Sequence, residues 1–272
     1  MSEGLEPAIA RFVSPDRQRV VGTGFVLGRY LVTCTHVLNS ALSITDRIPL
    51  ATQLQVDLPL NPQWPQVEAH VVASFPVVEN PDIQSLEDVS ILEINPTLLP
   101  SPNLMPLAVS AYHGRSFRML GFNTAMGTWF RGQCAGMVGD GRIQLQVENV
   151  SNETLNGLSG APVWDTHTKA ITGMLVAKRG NLKTYMIPAD RLIQAWPALQ
   201  NQAGVTHGLS AFQQQQFALL LKRQQTLVEL LSRQQDEHLY ADDPRRQMKL
   251  ERDIKDTQTR LAQVNADIQA LE

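Results

Sequence analysis

Cysteine is scarce in this sequence, with Cys34 and Cys134 as its two thiols in a chain of 272 residues. Two thiols cannot build the dense cross-links of small disulfide-stabilised folds, and their wide separation is not the spacing of a zinc site. The chain is long and, at 43% hydrophobic residues, apolar enough to form one large core or two smaller ones. We therefore expect free thiols, no bound metal, no cofactor and a cytoplasmic location.

Excess charge and long apolar runs are also missing. The formal net charge is −3, so no electrostatic attraction to nucleic acid or to an anionic membrane is expected. No apolar run approaches the roughly 18 residues that cross a bilayer. The first residues lack the basic and apolar regions of a secretory signal. The composition therefore argues against partners of the nucleic-acid or membrane class.

Residues 8–190 have the pattern of β-structure, because Gly, Pro, Asn and Asp interrupt short apolar runs at about every eight to twelve residues. Two β-rich runs flank Gly28 and Arg29 and predict a hairpin that leads directly into His36. Further strands are predicted in HVVASFPVV, DVSILEI, LQVENV, APVWD, AITGMLVAK and KTYMIP. A short helix is predicted from Pro188. This pattern is typical of sandwiches and barrels.

The composition changes at about residue 208, after which the chain has no glycine and one proline. Apolar residues then recur at helical spacing. A heptad-like stripe consists of Leu250, Ile254, Leu261, Val264, Ile268 and Leu271, with Thr257 at its missing position, and a rougher one of Leu209, Phe212, Leu220, Leu227 and Leu231. Asp243 can cap the second helix, with Pro244 at its first position. A helical hairpin is therefore predicted.

Two roles are open for this hairpin of residues 209–272. It could simply cover the β-domain, or it could be a coiled-coil module that binds a protein partner or a second copy of the chain. We favour association, because heptad seams usually pack against a partner helix.

The segment NGLSGAPVW, residues 156–164, places Ser159 among small residues. A serine hydroxyl is a poor nucleophile unless a base lies within hydrogen-bonding reach and N–H donors face the developing oxyanion. Gly157 would let the chain turn so that its own N–H and that of Ser159 point into one pocket. Turns of this composition are common, so the segment alone fits a structural turn as well as a nucleophile.

His36 follows the predicted strand YLVTCT, and Asp88 precedes the strand VSILEI. Each has an ordinary alternative, because a lone histidine is often structural and a lone aspartate often belongs to a turn or cap. With Ser159, however, they occur in the order His, Asp, Ser. This order is that of the chymotrypsin-type triad, whereas hydrolases with a nucleophile elbow have the order Ser, Asp, His.

Together, GTGFVLGRYLVTCTHV, EDVSILEI and NGLSGAPVW resemble the trypsin-like serine peptidases, in particular their intracellular prokaryotic members without disulfides, over roughly residues 8–196. The resemblance implies that His36 is the general base, that Asp88 orients its imidazole and that Ser159 attacks the peptide bond of a protein substrate. The N–H groups of Gly157 and Ser159 would form the oxyanion hole.

The resemblance also implies a mainly β fold with two six-stranded antiparallel barrels, followed by the helical hairpin. The peptidase domain would span residues 1–198, with barrels at about 8–108 and 112–190. Residues 199–208 would form a linker to the hairpin.

Substrate preference and activation are less closely specified by the resemblance. Glu153 stands where the family has the floor of its substrate pocket, which implies cleavage after Arg or Lys; an exposed loop glutamate is the alternative. Lys178, in the predicted pocket wall, could neutralise Glu153 or narrow the entrance. Leu158 replaces the aspartate that pairs with the new N-terminus in secreted trypsins, so the site is either always formed or ordered by a partner.

The hairpin resembles the helical adaptors of prokaryotic defence effectors. The sequence therefore predicts a serine endopeptidase that is recruited or activated through its C-terminal helices. A catalytically idle scaffold that binds peptides is the alternative from another functional class.

Overall fold

The computed structural model describes residues 5–45, 47–79, 81–82, 85–95, 105–109, 112–148, 156–177, 184–202, 211–239 and 243–270. The chain divides into two compact units, Met1–Thr206 and His207–Glu272. The first unit, which we call the β-unit, contains the strands of the described residues, and the second contains two long helices.

The first barrel is closed by six antiparallel strands in the order β1-β2-β3-β6-β5-β4. Their bounds are β1 Ile9–Val13, β2 Val20–Leu27, β3 Tyr30–Thr33, β4 Gln53–Asp57, β5 Gln66–Phe75 and β6 Val89–Ile94; helix α1, Thr35–Leu42, follows β3. The predicted hairpin is β2–β3, in which Leu27 pairs with Tyr30. Gly28 has φ +59° in its turn, a conformation that glycine adopts at little steric cost.

The second barrel repeats this topology, with the strand order β7-β8-β9-β12-β11-β10. Its strands are β7 Ser116–Gly121, β8 Thr128–Met137, β9 Ile143–Val147, β10 Pro162–Asp165, β11 Ala170–Ala177 and β12 Thr184–Pro188. The six runs predicted as strands overlap β5, β6, β9, β10, β11 and β12. The predicted fold class, two six-stranded antiparallel barrels of the chymotrypsin-like kind followed by a helical hairpin, is confirmed.

Two short helices, α2 (Ala189–Ala195) and α3 (Ala198–Gln202), follow the second barrel. The predicted helix from Pro188 is α2, and Pro188 itself is its N-cap. Trp196, at the end of α2, makes an edge-to-face contact with Tyr30 of β3 at 5.8 Å between ring centroids. Residues 199–208 were predicted as a linker, but α3 extends into them to Gln202. The Leu199 side chain is fully buried in the core, which holds this part of the chain against the rest of the β-unit.

The second unit is an antiparallel pair of helices, α4 (Ala211–Leu239) and α5 (Pro244–Ala270). Gln224 donates to Asn265 at 2.7 Å, and Thr257 donates to Gln234 at 2.8 Å, which fixes the register of the pair. Thr257 is 2% exposed, so it occupies the seam position that the stripe predicted. None of the helices in the described part of the chain is both long and apolar enough to cross a membrane.

The turn into α5 has the predicted cap. Asp243 Oδ1 accepts a hydrogen bond from the Arg245 N–H at 3.0 Å, and Pro244 is the first residue of the helix. The cap satisfies a backbone donor that has no partner inside the helix. Among the side chains that the structure describes in the two helices, the buried apolar ones are Leu227, Leu250, Val264 and Ile268.

Candidate active site

His36 and Asp88 meet because the strands that carry them are neighbours. In the β3–β6 pair, Thr33 at the end of β3 lies opposite Ser90 near the start of β6. The residues that follow β3 and those that precede β6 therefore emerge at the same end of the first barrel. His36 is the second residue of α1, and Asp88 immediately precedes β6.

The contact between them is a close hydrogen-bonded pair. His36 Nδ1 lies 2.8 Å from Oδ2 and 3.0 Å from Oδ1 of Asp88, and the His36 backbone N–H donates to Oδ1 at 3.0 Å. A carboxylate accepts hydrogen bonds, so in the neutral imidazole this geometry favours the tautomer with its proton on Nδ1 and with Nε2 as the acceptor. The His36 side chain is 37% exposed and that of Asp88 is 6% exposed. A buried carboxylate thus orients a partly exposed imidazole.

Asp88 is held in an unusual backbone conformation. Its φ is +51°, which costs a non-glycine residue about 1–3 kcal/mol and persists only where surrounding contacts impose it. Its N–H donates to the Pro76 carbonyl at 3.2 Å. Nearby, the Thr35 hydroxyl lies 2.9 Å from that of Ser90 and donates to the Phe75 carbonyl at 2.7 Å. These contacts attach the start of α1 to both strands beside Asp88.

Ser159 lies in the turn before β10, and Thr23 of β2 anchors this turn to the first barrel. The Thr23 N–H donates to the Ser159 carbonyl, and its hydroxyl donates to the Gly157 carbonyl, both at 2.8 Å. Gly157 and Gly160 have φ of +80° and +89°. A Cβ on Gly160 would lie 1.9 Å from the Thr23 carbonyl oxygen. The turn therefore requires glycine for both conformation and space.

One carbonyl of β11 links the serine turn to the histidine segment. The Leu175 oxygen accepts the Gly160 N–H at 2.8 Å and the Cys34 thiol at 3.5 Å. Gly160 follows Ser159 directly, and Cys34 is separated from His36 by one residue. The structure thus brings His36 and Asp88 into contact and attaches the Ser159 turn beside them, at the seam between the barrels.

Cys34 does not provide an alternative nucleophile. Complete burial, with the nearby Asp88 carboxylate, raises the pKa of its thiol well above the ordinary value, and a thiol is inert compared with a thiolate. Cys34, His36 and Asp88 place potential metal ligands within 4.8 Å of one another. A metal ion there would have to replace the His36–Asp88 hydrogen bonds and deprotonate Cys34. The chemistry of these groups therefore suits a hydrogen-bonded acid–base pair better than a metal centre.

Sequence reasoning missed Thr23 and Leu175, whose backbone groups hold the serine turn. Neither residue stands in a pattern that signals this role, because the partners are distant in sequence and Leu175 contributes only its backbone N–H and carbonyl. Glu153 and Lys178 lie outside the described residues, so the substrate pocket stays a prediction.

No family model matches the chain, and no curated protein matches it. Several solved structures are similar to the chain. An inactive mutant of Rv3671c from M. tuberculosis H37Rv has 21% identity, with 72% of this chain and 88% of that chain covered and a TM-score of 0.48. The serine endoprotease from Yersinia pestis has 17% identity, 74% and 67% coverage and a TM-score of 0.48. The HtrA-type protease AlgW with a decapeptide has 18% identity, 74% and 67% coverage and a TM-score of 0.48.

Proposed function

We propose that this chain is a serine endopeptidase that cleaves protein substrates through His36, Asp88 and Ser159. The observation that carries the proposal is the pairing of His36 Nδ1 with both carboxylate oxygens of Asp88, within 3.0 Å. A histidine that serves only packing does not need a buried carboxylate behind one ring nitrogen or a side chain that stays 37% exposed. A general base needs both.

The proposed reaction begins when Ser159 Oγ attacks the carbonyl carbon of the substrate peptide bond. The new C–O bond forms as the hydroxyl proton passes to His36 Nε2, and Asp88 stabilises the resulting imidazolium. The carbonyl oxygen becomes an oxyanion that accepts hydrogen bonds from the N–H groups of Gly157 and Ser159. One such donor is worth about 10²–10³-fold in kcat.

The intermediate then collapses, and the second half of the reaction restores the enzyme. The C–N bond breaks while His36 gives its proton to the leaving amine, which leaves an acyl ester on Ser159. Water adds to the ester as His36 takes one of its protons. The new acid departs when the C–O bond to Ser159 breaks and Oγ regains a proton from His36.

We further propose that the helical hairpin binds a protein partner or a second copy. Leu219, Val228 and Met248 are 66%, 45% and 58% exposed, so pairing of the two helices leaves apolar side chains uncovered. A chain ending near residue 202 should keep the β-unit folded and lose only recruitment to the partner. Cytoplasmic location and a role in prokaryotic defence rest on the sequence alone.

Hydrolysis of a denatured protein tests the enzyme proposal. Wild-type protein and the control variant Ser116→Ala, which removes an exposed hydroxyl on β7, should both release peptides. Ser159→Ala should release none while unfolding at the wild-type denaturant concentration, because only one hydroxyl is lost. Turnover by purified Ser159→Ala would exclude Ser159 as the nucleophile. A folded wild type that remains inactive with the hairpin partner bound would favour the peptide-binding scaffold.

A further inference from the structure

A buried ion pair joins the two barrels next to Asp88. Arg142, at the turn before β9 of the second barrel, donates through Nη2 to Oε1 of Glu87, which precedes Asp88 in the first. The two side chains are 6% and 1% exposed. Arg142 Nε also lies 3.7 Å from Asp140 Oδ2. The ion pair thus holds Glu87, the neighbour of Asp88, whose carboxylate is proposed to orient His36.

Further contacts hold the same short segment from both sides. The second oxygen of Glu87 accepts the Val78 N–H at 3.3 Å, which closes the loop between β5 and β6. On the other side, Arg191 of α2 donates to the Ser85 carbonyl at 3.3 Å. Arg142 and Arg191, both from the C-terminal half of the β-unit, therefore bind residues 85–87. Asp88 follows directly, in its left-handed conformation.

The charges of these groups are costly to bury. Burial lowers the pKa of Arg142, and the positive charge of Arg191 lowers it further. Burial also lowers the pKa of Arg191, while the neighbouring Asp190 opposes that shift. Apolar side chains of similar volume often stabilise a fold as well as a buried ion pair does. What an ion pair adds is a fixed direction, since a guanidinium and a carboxylate bond at defined angles.

We propose that Glu87 and Arg142 are positioning residues, which hold Asp88 against His36 and tie that pair to the barrel that carries Ser159. This inference rests on the proposed peptidase function. Asp88 must present both carboxylate oxygens to one imidazole nitrogen while its backbone remains in an unfavourable region. The adjacent Glu87, locked between Arg142 and the Val78 N–H, limits the rotation of the segment that would separate the two groups.

The test compares Glu87→Gln and Arg142→Met with the double variant and with Arg142→Lys. Each of the first two should lower kcat by about 10–100-fold with KM unchanged, the size expected when a reacting group is misplaced by about an ångström. The double variant should be no worse than the poorer single variant, because the residues act as a unit. Arg142→Lys keeps the charge and should recover part of the rate. It also serves as the comparison if Glu87→Gln fails to fold.

Asp57→Asn is the matched control. Asp57 is 7% exposed on its side chain and pairs with Arg11 at 3.0 Å. It lies opposite Gln66 at the start of β5, whereas Val89, the neighbour of Asp88, lies opposite Phe75 at the end of β5. Its loss should lower thermal stability without lowering kcat. If Asp57→Asn and Glu87→Gln lost kcat equally, general destabilisation would explain the loss in Glu87→Gln, and the inference would be overturned.

Proton NMR of the His36 Nδ1–H gives a readout that does not depend on turnover. The hydrogen bond to Asp88 should give a far-downfield resonance in the wild type, and Glu87→Gln should move it upfield or broaden it. If the wild type proves inactive with its hairpin partner bound, the peptidase proposal fails, but this resonance still decides whether Glu87 positions Asp88. An active Glu87→Gln with the wild-type kcat and an unmoved resonance would overturn the inference and leave the peptidase proposal standing.

Discussion

Replacement of Gly160 by alanine should damage the serine turn more than any ordinary surface change. The residue follows Ser159, has φ +89°, and leaves no room for a side chain. An added Cβ would lie 1.9 Å from the Thr23 carbonyl oxygen and 2.7 Å from the Thr33 hydroxyl. Because the closest atom belongs to the backbone of β2, the turn itself must move.

The expected cost follows from two losses. The positive φ costs a non-glycine residue about 1–3 kcal/mol. Displacement of the turn also breaks the hydrogen bond from the Thr23 N–H to the Ser159 carbonyl, which is 2.8 Å long and contributes about 0.5–1.5 kcal/mol. We expect Gly160→Ala to lower the free energy of unfolding by about 1.5–4.5 kcal/mol and to abolish reactivity at Ser159.

Gly114→Ala is the control that separates the cost of a positive φ from the cost of displacing the serine turn. Gly114 also has a positive φ, +74°, but nothing lies within 4 Å of its added Cβ. The Gly114→Ala variant should lose about 1–2 kcal/mol in free energy of unfolding and keep full reactivity at Ser159. Denaturant unfolding followed by tryptophan fluorescence suits both variants, because Trp64, Trp129, Trp164 and Trp196 all lie in the β-unit. A Gly160→Ala protein that reacts like the wild type and loses no more stability than Gly114→Ala would refute the reasoning.

Three further outcomes are expected. Burial raises the pKa of Asp57, but hydrogen bonds, led by the one from Arg17, outweigh it and hold the pKa below 3.8. The stabilisation is therefore complete above that pH and is lost as the pH falls through the lower folded-state pKa. Acid unfolding of Asp57→Asn should lack this pH-dependent loss of stability. Burial raises the pKa of Cys134 to about 12, so iodoacetamide at about pH 8 should modify it only after unfolding; labelling of the native protein would contradict this. Ile254 and Leu261 are half-buried in the hairpin seam. Substitution of both by aspartate should abolish capture of the partner in pull-downs without changing reactivity at Ser159. A loss of that reactivity would make the helices an integral part of the β-unit.

Features with a local signal in the sequence were predictable. The turn at Gly28 and Arg29 joins two strands as expected, and Asp243 caps α5 as its position before Pro244 indicated. Thr257 could be placed in the hairpin seam by spacing alone, and it lies there with its hydroxyl bonded to Gln234. Each of these depends on residues a few positions apart, where propensity and periodicity determine the structure.

Contacts between distant segments were not predictable. Arg142 and Glu87 are 55 positions apart and lie in different barrels, so no spacing rule connects them. Thr23 stands 134 positions before Gly157, whose carbonyl it binds. The same holds for α3, since Leu199 is buried by residues that only the folded core brings to it. Motifs can nominate functional residues, but the groups that position them depend on tertiary packing.

Labelling with a fluorophosphonate probe, followed by mass mapping of the modified peptide, tests the central proposal most directly. The probe phosphonylates a serine only where a base and an oxyanion hole activate it. We expect one label per chain, on Ser159, and none on Ser159→Ala or His36→Ala protein of wild-type stability. A wild-type protein that is folded and has its partner bound, yet carries no label or carries it on another serine, would contradict the proposed triad.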